Sequence, residues 1–315
     1  MNLKSIRDGF GEGLVVAGEN NGQIVALTAD LEESTRENLF AEKFPERFFE
    51  VGVAEQSLIT VAAGMAEYGK IPFASSYAVF SPGRTFEQIK VTAALNDVPV
   101  KIVGAHAGFG AAMYGATHES LEDIALMRVI PNMVVEVPCD FNQAKKATLA
   151  IAENGKPSYL RLERPKTPVF TDEHAKFEIG KAEVLWEDKD PQVAVVGCGS
   201  ILHEALLAAE ELTRTDLVSV VINCHTIKPI DEQTIVRAAK TCGAVVTVEE
   251  HQIMGGMGSA VAEVLSKNFP VPMEFVGVND SFAESGVPED MYKKFKMTVS
   301  DIAEAVKKVI ARKNQ

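Results

Sequence analysis

Apolar runs alternate with amphipathic stretches along the whole chain, and this alternation predicts an α/β architecture. Ile6, Phe10, Leu14 and Val15 recur at helical spacing and predict a helix over 5–19. Ile24 to Asp30 reads as a buried strand. A second extended stretch, Phe48 to Val53, breaks at Gly52 and opens directly into a small-residue helix that starts near Glu55. Residues 71–80 predict a strand, Ser81-Pro82-Gly83-Arg84 a turn, and 84–95 a helix. The strand over 98–103 ends in a glycine-rich loop, 104–119, which is too long and too apolar to be a mere connection. A helix over 121–130, a strand over 133–137, a helix over 141–153 capped by Asp140, and a strand over 158–165 follow.

Residues 166–180 are polar and rich in Pro, Thr and charge, which predicts a linker between domains 1–165 and 181–315. The alternation then restarts, with a strand and glycine turn over 193–200 and strands over 217–222, 244–249 and 273–278. Helices follow at 201–212, from Asp231, after the glycines at 255–258, and over 299–311. The expected fold is two doubly wound α/β domains, the second with a mostly parallel sheet. Gly197-Cys198-Gly199 after a strand hints at a dinucleotide turn, but the third glycine in register is missing.

Bulk composition narrows the function classes. A net charge of −13 opposes a nucleic-acid surface or an anionic membrane as partner. No window reaches the roughly 18 unbroken apolar residues of a membrane span, and residues 1–8 lack a secretory signal pattern. Four scattered cysteines without a Cys-x-x-Cys predict reduced, buried thiols in a cytoplasmic protein. His203, His225 and His251 read as structural. Position alone makes Glu55 an ordinary first-turn acid, favoured by the helix dipole. Its neighbours Val51, Val53, Ala54, Leu58 and Ile59 suggest instead a carboxyl that can hold or lend a proton.

The run Gly52-Val53-Ala54-Glu55-Gln56 resembles the cofactor-activating segment of transketolases and related thiamine-diphosphate enzymes, and the resemblance extends over essentially the whole chain. It implies a pyrimidine-binding domain followed by a transketolase C-terminal domain, to which Glu249-Glu250-His251 and Gly255-Gly256-Met257-Gly258 also correspond. In that family the Glu hydrogen-bonds the aminopyrimidine ring of thiamine diphosphate; here it is Glu55. Tyr77 and Phe80 resemble the aromatics that wall this ring, as stacking physics favours. Gly83 stands where a third aromatic is common.

By the same resemblance, Arg7, Ser34, His106 and Arg164 correspond to the sugar-phosphate grip and His118 to the histidine near the reacting carbon; Arg161 is a weaker alternative to Arg164. Met113 and Tyr114 replace the usual acidic pair that reads sugar hydroxyls.

The family binds the diphosphate and its divalent cation through a Gly-Asp-Gly that occurs nowhere in this chain. The resemblance therefore implies one subunit of a split transketolase. A separate N-terminal subunit would hold Mg2+ and the diphosphate, and this chain would pair with itself inside a heterotetramer. The expected reaction is transfer of a two-carbon ketol unit from a ketose phosphate to an aldose. A deoxyxylulose-phosphate synthase-like subunit, a 2-oxo-acid dehydrogenase E1 beta-like subunit and a non-catalytic paralogue are the alternatives.

Overall fold

The computed structural model describes residues 2–314 and contains two large sheets with helices on both faces. The first has seven strands, in the order Thr226–Lys228, Val134–Glu136, Ser158–Arg161, Lys101–Ala105, Ile71–Tyr77, Ile24–Thr28 and Phe48–Glu50. All pairings within it are parallel except that of Thr226–Lys228. The second has five strands, in the order Met273–Val278, Val245–Gln252, Val193–Gly197, Ser219–Asn223 and Glu183–Glu187, with only the last antiparallel.

Local signals account for most of these elements. The central strands are buried at every position, because both sheet faces are covered. Helix Ile6–Asn20 turns Ile6, Phe10, Leu14 and Ala17 into a core shared with Phe73 and Ile151. Asp140 and Asp231 each accept the backbone N–H three residues ahead and start the helices Phe141–Glu153 and Glu232–Cys242. The four cysteines are free and buried.

Three features depart from the sequence reading. Residues 86–94 do not form one plain helix: Phe86–Gln88 runs into a π-helix, Ile89–Ala94. Its wider turn places Ile89, Ala93 and Ala94 together in the core. Lys166–Pro168, expected in the linker, is a strand paired antiparallel with Leu3–Ser5. Thr226–Lys228, from the second half of the chain, closes the edge of the first sheet. The Thr226–Lys228 strand thus stitches the second half of the chain to the first.

The dinucleotide hint at Gly197-Cys198-Gly199 also finds its explanation. The carboxylate of Glu163 sits in that turn, accepts the Ser200 N–H at 3.2 Å and is hydrogen-bonded by the Ser200 hydroxyl. An internal anion occupies the place a phosphate would take. Glu249 does the same for the next glycine turn, accepting the N–H groups of Met257 and Gly258 at 2.7 and 2.8 Å.

Candidate active site

Ligand sites in parallel α/β sheets lie beyond the carboxyl ends of the strands. In the seven-stranded sheet that edge collects Ser34, Glu55, Tyr77, Phe80, His106 and Arg164, each at or just after a strand end. Arg7 joins them from the first turn of helix Ile6–Asn20.

One group of contacts is polar. The Arg7 guanidinium donates to the Ser34 carbonyl at 2.7 Å, and the Tyr77 hydroxyl reaches the Ser34 hydroxyl at 3.3 Å. The Tyr77 and His106 ring centroids are 4.0 Å apart. His106 has a left-handed backbone, φ 57°, and is buried, with no partner for Nδ1. Burial, with the cations of Arg7, Arg164 and Arg36, pushes its imidazole down to about 3. Burial together with Arg36 and Arg164 also lowers Arg7. This end of the site is therefore rich in guanidinium charge and suits an oxyanion.

Neutral His106 makes a direct prediction. Its ring resonances should not titrate between about pH 8 and pH 5, as followed by proton–nitrogen NMR of the imidazoles. Because the folded value lies below the ordinary 6.5, its contribution to stability is present above about 6.5 and lost as pH falls towards about 3. Titration of His106 near neutral pH would show that the three arginines do not surround it.

The other group surrounds Glu55, which is 2 % exposed. The purely apolar setting expected of it is broken by Arg84, whose Nη1 pairs with its carboxylate at 2.8 Å. Arg84 also lies 5.0 Å from the Phe80 ring. The reading of 81–84 as a plain turn missed this residue; its position just after Phe80 was the available signal. Arg36, which pairs with Asp8 at 2.6 Å, was missed too, two residues beyond Ser34. The Tyr77 and Phe80 rings are nearly parallel, 13° apart with centroids at 6.1 Å. His118 meets Phe80 edge-on at 5.5 Å and takes a hydrogen bond between its Nδ1 and Thr117 at 2.9 Å. At Gly83 a Cβ would come within 2.3 Å of the Val79 carbonyl oxygen, so this turn as folded excludes the third aromatic.

The glycine loop lies between the two groups. Residues 108–114 form a 3-10 segment that exposes Met113 and Tyr114. The Tyr114 ring stands 5.4 Å from His118 and 6.0 Å from the Arg164 guanidinium, in the region where the usual acidic pair is missing. The second domain holds this loop from behind. Glu250 accepts the Phe109 N–H at 2.5 Å, and the Phe109 ring stacks on Phe295 at 5.4 Å. Gly108 lies so close to Glu250 that a Cβ would overlap its carboxylate. Burial, with the carboxylate of Glu163 beside it, holds Glu250 well above the ordinary carboxylate range.

Arg161 does not face the site. It is buried, pairs with Asp123 at 2.9 Å and Glu163 at 3.6 Å, and donates to the Glu250 carbonyl. His225 and His251 are buried inside the protein.

This arrangement fits half of a thiamine-diphosphate site. A buried carboxylate and two nearly parallel aromatic rings suit a flat, basic heterocycle. For the diphosphate half, no group of three His, Cys, Asp or Glu side chains among the described residues could hold a metal ion.

Two α/β units, with a guanidinium-rich pocket at the strand ends of the first, define the class. Residues 3–169 match the transketolase pyrimidine-binding domain and residues 180–302 the transketolase C-terminal domain. The chain belongs to the transketolase family. It is 40 % identical over 309 residues to the 6-deoxy-6-sulfo-D-fructose transketolase subunit of Clostridium sp. strain MSTE9, covering 98 % of this chain and 95 % of that protein. A putative transketolase C-terminal section of Methanocaldococcus jannaschii is 42 % identical over 306 residues, covering 96 % and 95 %. A solved structure described as a split-gene transketolase, an inactive β4 tetramer, superposes with a TM-score of 0.92 at 44 % identity, covering 98 % of this chain and 99 % of that one.

Proposed function

We propose that this chain is the C-terminal subunit of a split, thiamine-diphosphate-dependent transketolase. Residues 1–165 form its pyrimidine-binding unit and 181–315 its C-terminal unit, joined by 166–180. The observation that carries the reading is the pairing, at one sheet edge, of the buried Glu55 beside two parallel aromatic rings with a guanidinium-rich pocket around His106.

Thiamine diphosphate, when bound, supplies the nucleophilic carbon that breaks the carbon–carbon bond of the ketose. In this reading Glu55 holds a proton at the aminopyrimidine ring nitrogen, and Tyr77 and Phe80 exclude water from the ring faces. His118 hydrogen-bonds substrate hydroxyls near the reacting carbon and moves a proton there. Arg7, Ser34, His106 and Arg164 hold the terminal oxyanion of the sugar. A partner N-terminal subunit carries the Gly-Asp-Gly site and binds Mg2+ with the diphosphate.

The substrates are a ketose phosphate donor and an aldose acceptor. The Clostridium relative is described as acting on 6-deoxy-6-sulfo-D-fructose, and a guanidinium pocket reads sulfonate as well as phosphate. Donors ending in either group therefore belong in the assay. Self-pairing within a heterotetramer is supported by the apolar side chains exposed beside Glu55, Val53 and Val61, and by Val91 and Leu95 on the segment packed against that helix. No helix among the described residues is long and apolar enough to cross a membrane, and four free cysteines accord with a cytoplasmic location.

The test is made on the purified chain with and without its partner. Alone, it should bind thiamine diphosphate weakly and show no ketol transfer; turnover should appear when a subunit bearing Gly-Asp-Gly is added. The inactive β4 tetramer of the split-gene relative supports this expectation. Tight, magnesium-dependent binding of thiamine diphosphate to this chain by itself, measured by calorimetry, would overturn the split-subunit reading.

A further inference from the structure

Directly after His118 the chain buries Glu119, which is 5 % exposed, and neither of its carboxylate oxygens has a hydrogen-bond partner. Glu119 lines a cavity of 430 Å³ between the glycine loop and the second domain. Gln252, at the end of strand Val245–Gln252, lines the same cavity. Its amide nitrogen donates to the Ser281 carbonyl at 2.8 Å, while its Oε1 is buried and unpartnered. Two residues that line one cavity therefore carry three buried acceptor oxygens without a donor. A buried acceptor left unpaired is costly, so such a set calls for a ligand that brings N–H groups.

The charge of the cavity narrows the ligand further. Glu122 and Asp280 are its other titratable side chains, and among the described residues no Lys, Arg or His lines it. No described group of three His, Cys, Asp or Glu side chains could hold a metal ion, which argues for an organic cation. At the rim, the Phe282 ring is 90 % exposed and offers a flat face. A planar fork of several N–H donors that also stacks on an aromatic ring is a guanidinium.

We propose that this cavity binds an organic cation of the guanidinium class, with Glu119 as its counter-ion and Gln252 as a second acceptor. The cation is either an arginine side chain of a docked subunit or a free small molecule; the recognition chemistry is the same. Burial pushes Glu119 up to about 7, and burial raises Glu122 as well. The cavity therefore gains negative charge, and cation affinity, as pH rises through neutrality.

The test uses calorimetry of the full chain with agmatine as the guanidinium probe. Binding should saturate at about pH 8 and weaken about tenfold at about pH 6, as the carboxyl protonates. Glu119→Gln should weaken it about tenfold or more at the higher pH and flatten most of the pH dependence, with Glu122 left as the remaining titrating carboxyl; Gln252→Leu should weaken it a few-fold. Absence of saturable binding to the wild-type chain, or equal binding by Glu119→Gln, overturns the proposal. Both results are read on the isolated chain, so they stand apart from the assignment of ketol transfer. If saturating agmatine also blocks assembly with the partner subunit, the natural cation is that subunit's arginine. If agmatine binds and assembly is unaffected, it is a free ligand.

Discussion

Glu55→Gln should reduce turnover of the reconstituted enzyme by about 10⁴-fold or more while leaving fold and assembly intact. Gln keeps the size and hydrogen-bonding reach of the side chain but cannot lend a proton. General acid–base groups commonly contribute about 10²–10⁴-fold, and in the proposed mechanism this one acts before any substrate bond is broken. The side chain is 2 % exposed and meets Arg84 at 2.8 Å. The substitution also weakens that ion pair, so Arg84→Met is the control. Glu55 is buried, so Arg84→Met leaves a carboxylate without its ion-pair partner, and the stability of this variant is measured alongside its turnover. If Arg84→Met reproduces the full loss, the pairing and not the proton is what matters. Turnover is measured at saturating cofactor, with circular dichroism and gel filtration as fold controls. A correctly assembled Glu55→Gln enzyme that keeps more than about a tenth of the activity, far short of the expected loss, would remove Glu55 from the role of activating acid.

Arg161→Met should destabilise the protein by about 3–5 kcal/mol, the cost of leaving buried charges without their partner. The Arg161 side chain is fully buried, and so are those of Asp123 and Glu163, its two ion-pair partners. It also donates to the Glu250 carbonyl at 2.7 Å, which ties the last strand of the first unit to the second domain. Met fills most of the volume, so the loss measures charge and hydrogen bonding more than packing. The urea midpoint of the full chain reads the effect. A shift worth less than about 1 kcal/mol, as at an ordinary surface arginine, would mean that Asp123 and Glu163 are satisfied without Arg161. The same experiment separates Arg161 from Arg164, which faces the site and should affect substrate affinity instead.

The order of strands and helices was legible in the sequence because it rests on short-range periodicity and capping. Ile6, Phe10 and Leu14 mark a helix face wherever the chain goes, and Asp140 starts a helix from its own next turn. The candidate site was legible to the same extent. Ser34, Glu55, Tyr77, His106 and Arg164 follow strand ends, and a parallel sheet brings strand ends to one edge.

Which groups neutralise one another was not legible, since that depends on residues far apart in sequence. Nothing near Glu55 announces Arg84, and nothing near Gly197 announces that Glu163 fills its turn. Arg161 and Arg164 look alike in one short stretch. Only the tertiary structure buries the first among Asp123 and Glu163 and leaves the second beside Tyr114. Local pattern determines backbone form, because its interactions span a few residues; the pairing of buried charges is set by packing between distant elements, which a single sequence does not spell out.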